Sequence, residues 1–246
     1  MKKFTLLFVA VIGLAIMANS QADYTMYKTV YLKPDYENLK ELGKAMAKHN
    51  KEFHNEAPNQ AHVWVVTTGP HTGQWLLVLG PTTFTDLDNM PTSKEHREDW
   101  LFEVLPNVEE LSEGGFWRLD DEVSYLLEDG FTGKEVLGFY GVKEFEEYRF
   151  TAILEKVAKV YKEKEYDHFF EVFRPQFADS NGPDVLIASG FKNWAYFDED
   201  KKFKADFEDV HGEGSWTRLM EEYRDVVEFS YDEIIMYVPE LSGGVE

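Results

Sequence analysis

The chain has 246 residues, no cysteine, a 43% hydrophobic and 15% aromatic share, and a formal net charge of −21. That apolar content supports one large or two small packed domains, and the lack of cysteine excludes disulfides, thiolate nucleophiles, cysteinyl zinc, iron–sulfur clusters and a cysteine-linked lipid anchor. The acids are scattered, and such a surface repels nucleic acid and anionic membranes, which call for a basic footprint.

The first 22 residues read as an export signal. "MKK" is a basic start, "FTLLFVAVIGLAIM" is an apolar stretch of signal-peptide length, and "SQA" places Ser20 and Ala22 for cleavage before Asp23. A retained membrane anchor is the minority alternative. No later segment approaches about 18 uninterrupted apolar residues, so the mature chain is expected to be periplasmic or extracellular and off the membrane.

"YTMYKTVYLK" (24–33) alternates and is rich in Tyr, Val and Thr, which predicts a strand. Residues 36–54 carry Leu39, Leu42, Met46 and Phe53 at helical spacing. "AHVWVVTT" and "QWLLVLG" read as two strands joined by the turn "GPHTG". A helix is expected over 93–112, with Thr92 and Glu95 placed for a capping box and Pro106 as a break or kink. "FWRLDDEVSYLL" (116–127) reads as the closing strand. The same order returns after "EDGFTG" (128–133): "KEVLGFYGVK", a helix over 146–165, "HFFEVFRP", "DVLIASG", a helical region over 201–226, and "EFSYDEIIMYV".

The recurrence is also visible residue by residue. "VLGPTTFTDLD" overlies "IASGFKNWAYFDED", pairing Gly80 with Gly190, Phe84 with Trp194 and Asp88 with Asp198. "EELSEGGFWRLDDEV" overlies "EEYRDVVEFSYDEI", and the first helices pair Leu42 with Leu154 and Lys44 with Lys156. A period of about 110 residues exceeds the solenoid range and means duplicated domains. The expected organisation is a signal over 1–22, a first repeat over 23–127, a linker over 128–133, a second repeat over 134–240 and a tail over 241–246.

Each repeat reads βαββαβ, the ferredoxin-like plait, whose helices cover one face of an antiparallel sheet and leave the other bare. Two plaits bury those bare faces together. The chain therefore resembles the dimeric α+β barrel superfamily in fused, tandem form, over nearly its whole mature length. The resemblance implies an α+β fold in which two ferredoxin-like units make a pseudo-dimer. Barrels of this kind serve cofactor-independent monooxygenases, polyketide-type cyclases, isomerases, haem enzymes and proteins of no assigned role, so the fold alone leaves function open.

The repeat places His62, in "AHVW", over His168, in "DHFF". Alternation gives His62, Trp64 and Val66 one face, and His168, Phe170, Val172 and Arg174 the matching one. A histidine beside an aromatic wall suits proton transfer, and similar barrels use His or Tyr as acid or base on aromatic ligands. The competing reading is a strand-end histidine that caps a loop. Glu171, between Phe169 and Phe173, would have a raised pKa if buried, or would face solvent on an edge strand.

Tyr31 and Tyr140 are paired by the repeat and, with Trp64, are candidate lining of an aromatic pocket. His211, in "DVHGEGSW", is a candidate at a pocket mouth. His96, in "SKEHREDW", reads as solvated. The expected catalytic set is thus His168, Glu171 and His62. The ligand-binding set is Arg174, Tyr31, Tyr140, Trp64 and His211.

No metal site is expected: "DLD" and "DED" lack the EF-hand spacing, and no Walker loop, GxSxG, HExxH or GxGxxG occurs. No cofactor is expected either, although His168 or His211 can formally serve a haem iron. The leading expectation is an exported, cofactor-independent enzyme acting on an aromatic or polyketide-like molecule. The alternatives are a non-catalytic ligand-binding or interaction module and a haem-binding barrel. Homo-oligomerisation is left open.

Overall fold

The computed structural model describes residues 24–244 apart from Asp129, Asp200 and Lys201, so the expected leader over 1–22 lies outside the described residues. Eight antiparallel strands close into one barrel: β1 (Met26–Pro34), β2 (Ala61–Thr68), β3 (Trp75–Thr82), β4 (Val108–Leu119), β5 (Lys134–Val142), β6 (Glu171–Pro175), β7 (Val185–Gly190) and β8 (Val227–Tyr237). Around the barrel the order is β1-β3-β2-β8-β5-β7-β6-β4. The first four strands therefore follow the path β4-β1-β3-β2 and the last four repeat it as β8-β5-β7-β6. The halves join through β2 with β8 and β4 with β6, for example Val65 opposite Met236 and Arg118 opposite Arg174. Closure leaves no unpaired edge, the usual liability of a sheet.

The helices are α1 (Leu39–Phe53), α2 (Phe84–Leu87), α3 (Lys94–Asp99), α4 (Glu147–Glu163), α5 (Phe203–His211) and α6 (Ser215–Val226). No described helix is long and apolar enough to cross a membrane. The single helix expected over 93–112 is shorter and broken. After α3 the chain widens into a π turn (Trp100–Val104), tightens into a 3-10 turn (Leu105–Asn107) and enters β4 at Val108. Pro106, with no N–H to donate, cannot continue the helix. The closing strand is accordingly earlier than "FWRLDDEVSYLL": it starts at Val108 and ends at Leu119, and among the described residues from Asp120 to Leu127 the strand pairing is the isolated Tyr125–Phe170 bridge.

Strand alternation sorts apolar side chains into layers. Tyr31, Trp64, Leu76, Phe139, Phe173 and Ile235 point into the lumen. Their neighbours point outward, where Leu32, Val63 and Leu77 meet Leu42 and Met46 of α1. In the second half Val172 and Val185 meet Phe150, Ile153 and Leu154 of α4, and Phe207 and Leu219 of α5 and α6. The buried positions on α4, Phe150, Ile153, Leu154 and Ala158, follow the spacing of one helical face. The C-terminal end packs on the first half: Asn50 Nδ2 donates to the Leu241 carbonyl (2.7 Å) and the Gly243 N–H to the Ala61 carbonyl (2.8 Å).

Candidate functional site

The barrel register relocates several residues singled out above. His62 lies opposite Val78, and Glu171 lies opposite Ala188. With Gly80 equivalent to Gly190, Val78 is equivalent to Ala188, so the counterpart of His62 is Glu171 and not His168. In the same way Tyr31 lies opposite Leu76 and Phe139 opposite Leu186, which makes Phe139, not Tyr140, the counterpart of Tyr31. In both places the chain is one or more residues out of step with the repeat alignment, and a single-residue step exchanges the two faces of a strand.

His62 and Glu171 consequently share the lumen, together with Trp64, while His168, Arg174, Tyr140 and His211 all lie outside it. His168 precedes β6 and sits among Tyr161, Tyr166 and Tyr196 in an outer cavity of about 630 Å³. Its Nδ1 is 3.2 Å from Asp167 Oδ1. Arg174 donates from Nε to Asp120 Oδ2 (3.1 Å) and from its terminal nitrogen to Thr151 Oγ1 (2.9 Å), which ties β6 to α4. Tyr140 packs on Phe150 beneath the helices, and burial drives its phenol pKa well above the usual value. His211 closes α5 and donates from Nε2 to the Lys156 carbonyl (2.9 Å), clamping α5 on α4.

One end of the lumen holds a cavity of about 300 Å³. Its polar groups are His62, Tyr27, Thr29, Glu171, Glu135 and Glu128, and its walls include Trp64, Trp117, Phe169 and Phe173. Residues of the connection between the halves, Gly130 and Phe131, border the mouth, with Phe131 against Trp64 and Tyr237. Glu135 was not among the sequence candidates. It stands at the head of β5, in the sequence "GKEVLG", where nothing separates it from a solvated strand end.

Burial is the main cause of the unusual acidity here. It pushes Glu171 up to about 7, and burial followed by repulsion from Glu171 pushes Glu135 up to about 8. Tyr27 is raised to about 12 by burial and then by the two carboxylates. Burial lowers the pKa of His62 and favours its neutral ring, against a hydrogen bond to the Gly80 backbone. Near neutral pH this end of the lumen therefore carries carboxyl groups poised between acid and base.

The other end opens into a cavity of about 720 Å³ that shares Thr29, Leu76, Trp117, Leu137 and Leu186 with the first. Tyr31 and His71 line this cavity, and behind them stands Glu233, fully buried on β8. Tyr31 Oη donates to Glu233 Oε2 (2.8 Å), and the His71 N–H to Oε1 (3.1 Å). The His71 ring also meets Oε1 through Nδ1 (2.7 Å) and stacks on Tyr31, centroids 4.1 Å apart. His71 reaches this position because the turn after β2 runs close to β8. A Cβ on Gly69, at φ +91°, would lie 2.5 Å from the Asp232 carbonyl oxygen. Tyr31 was a candidate, but its partners were hidden inside "GPHTG" and "SYDEI".

Of the two imidazoles offered for haem, His211 has its Nε2 tied to a backbone carbonyl, and His168 faces the outer cavity with Nδ1 against Asp167 and Nε2 3.4 Å from Tyr196 Oη.

No protein-family model matches the sequence, and no curated protein sequence matches it. Solved structures do match over most of the chain. An anthrone oxidase-like protein superposes with a TM-score of 0.53 at 14% identity, over 89% of this chain and 92% of its own. A haem-binding protein from Thermus thermophilus gives 0.53 at 10% identity, over 88% and 92%. Chlorite dismutase from Candidatus Nitrospira defluvii, in complex with imidazole, gives 0.55 at 8% identity, over 89% and 93%. This is the dimeric α+β barrel fold. At these identities the likeness extends to the fold alone.

Proposed function

We propose that the mature chain is an exported barrel of two fused ferredoxin-like units that binds a small aromatic or polyketide-like molecule in its lumen and moves a proton on it without a cofactor. The observation that carries this reading is the pair Glu135 and Glu171 in one aromatic-walled cavity, pushed up to about 8 and about 7. A carboxylate of that basicity takes a proton from a phenol, or from carbon beside a carbonyl, more readily than an ordinary carboxylate. The partner carboxyl, still protonated, donates a hydrogen bond to the oxygen on which charge develops. Neutral His62 holds the ligand's polar end, and Trp64, Trp117 and Phe173 offer ring faces to its apolar body. The cavity lies at the small end of the ligand-pocket range. The anthrone oxidase-like neighbour supports an aromatic ligand, and the signal-like sequence of residues 1–22 supports export.

Binding without turnover is the second reading. It is favoured by the packed middle of the lumen, where Leu76, Leu137 and Leu186 are buried. One experiment separates the two. The protein is titrated with hydroxylated polycyclic aromatics in air, with tryptophan fluorescence reporting binding and ligand absorbance reporting conversion. Saturable binding with conversion that rises through pH 7–8, and that falls about 100-fold in Glu171→Gln while binding persists, supports catalysis. Binding without conversion supports the second reading. Unchanged conversion in Glu171→Gln contradicts the catalytic assignment.

A further inference from the structure

A second group of histidines lies outside the barrel, on the helical layer of the first half. α1 buries Leu42, Met46 and His49 on one face and ends at Phe53, so that His54 is its C-cap. Ser93 caps α3 by accepting from the His96 N–H (3.0 Å), which sets His96 in the first turn and Asp99 one turn later. These three imidazoles, from two segments well separated in the chain, converge. One ring nitrogen of each lies within 4.8 Å of the others. His54 Nε2 and His96 Nε2 are 3.1 Å apart.

The outer partners orient the rings. His49 Nδ1 lies 3.0 Å from Asp99 Oδ2, and His54 Nδ1 lies 2.9 Å from the Asn59 carbonyl oxygen. Both partners accept hydrogen bonds, so both histidines carry their proton on Nδ1 and keep a lone pair on Nε2. Asp99 is held in turn by Lys48. A carboxylate or a backbone carbonyl behind a histidine is the arrangement that orients imidazole ligands on metals.

We infer that His49, His54 and His96 form a binding site for a divalent transition-metal cation, with Zn²⁺ the foremost candidate. Bonds of about 2.0–2.1 Å in tetrahedral geometry hold ligand nitrogens about 3.3 Å apart. The His54–His96 separation already matches this, and modest ring rotation closes the remainder. The His54 Nε2 lone pair faces His96 Nε2 at 3.1 Å, a contact that calls for either a proton on His96 or a cation between the two nitrogens. Three imidazoles with no thiolate suit Zn²⁺ or its neighbours rather than Mg²⁺ or Ca²⁺, which take oxygen ligands. His49 and His54 are buried while His96 is half-buried, so one edge of the cluster stays at the surface for metal entry. Three protein ligands leave a fourth position for water or another small ligand. The bound ion would tie the end of α1 to α3.

The test uses the full chain after chelator treatment, titrated calorimetrically with ZnCl₂ alone and then with Co²⁺, whose visible absorption reports four-coordination. The expected result is one tight equivalent with a four-coordinate Co²⁺ spectrum. His54→Ala and His96→Gln should weaken binding by about 100-fold or more, and Asp99→Asn by about 10- to 100-fold. His96→Gln lies on a half-buried helix position, and its circular dichroism shows whether the fold is kept. Absence of a tight equivalent in the wild-type chain overturns the proposal. So does equal binding in the wild type and in a folded His54→Ala/His96→Gln variant, which would assign the ion to the acidic surface.

Discussion

Glu233 is a fully buried carboxyl group whose oxygens are occupied by Tyr31 and His71. Removing one side of such an arrangement leaves a buried polar group without its partner, which costs more than the interaction contributes when intact. Glu233→Ala is therefore expected to lower unfolding stability by about 3–5 kcal/mol and Tyr31→Phe by about 1–3 kcal/mol, both read from urea denaturation midpoints. Gly69→Ala should also destabilise, because its Cβ would strike the β8 backbone. The polar residues outside the lumen have structural work of the same kind: Arg174 fastens β6 to α4, and His211 fastens α5 to α4. Each has a named acceptor on another element, which explains its presence without reference to a ligand.

At the scale of the element, strand and helix types were legible because apolar periodicity is strong. Leu42 and Met46 predict the buried face of α1, and alternation in "AHVWVV" puts Trp64 inside with His62. The faces of β6 were not legible from the repeat. The alignment matched histidine with histidine, whereas hydrogen bonding matches His62 with Glu171. Side-chain identity is a weak guide to register when one residue of slip reverses every face. The His49–His54–His96 cluster was hidden for another reason: its members come from different helices, and only the packing of α3 on α1 brings them together. The helical layer itself should respond as a core does. Met46→Ala is expected to cost about 2–5 kcal/mol and Phe150→Ala about 3–5 kcal/mol, measured by denaturant unfolding, since both side chains are essentially fully buried.

At the scale of the whole molecule, barrel closure creates the site. β5 supplies Glu135 and β6 supplies Glu171; both pair with β7, and the closed wall reduces the contact of these half-buried carboxyl groups with bulk water. The same burial couples the site to stability. Each carboxyl is raised in the folded state above its ordinary value of 4.5, so the folded chain binds protons more tightly than the unfolded chain. Their protonated forms favour folding below about pH 4.5, and that contribution is lost as pH rises through about 7 and 8. Thermal melting should accordingly show a contribution that falls between about pH 5 and pH 8.5 and flattens in Glu135→Gln. A slope unchanged by that substitution would assign the effect to other groups.

On the proposed function, Glu135 and Glu171 exchange protons near neutral pH inside the barrel. The most direct measurement follows their side-chain carboxyl carbons by NMR in glutamate-labelled protein across pH 4–10, with Glu135→Gln and Glu171→Gln assigning the signals. The expected result is two coupled titrations near pH 7 and 8, with the Glu135 step falling only in part when Glu171 is replaced by glutamine, because burial remains its larger cause. Titration of both groups below about pH 5 would contradict the assignment of the lumen as an acid–base site.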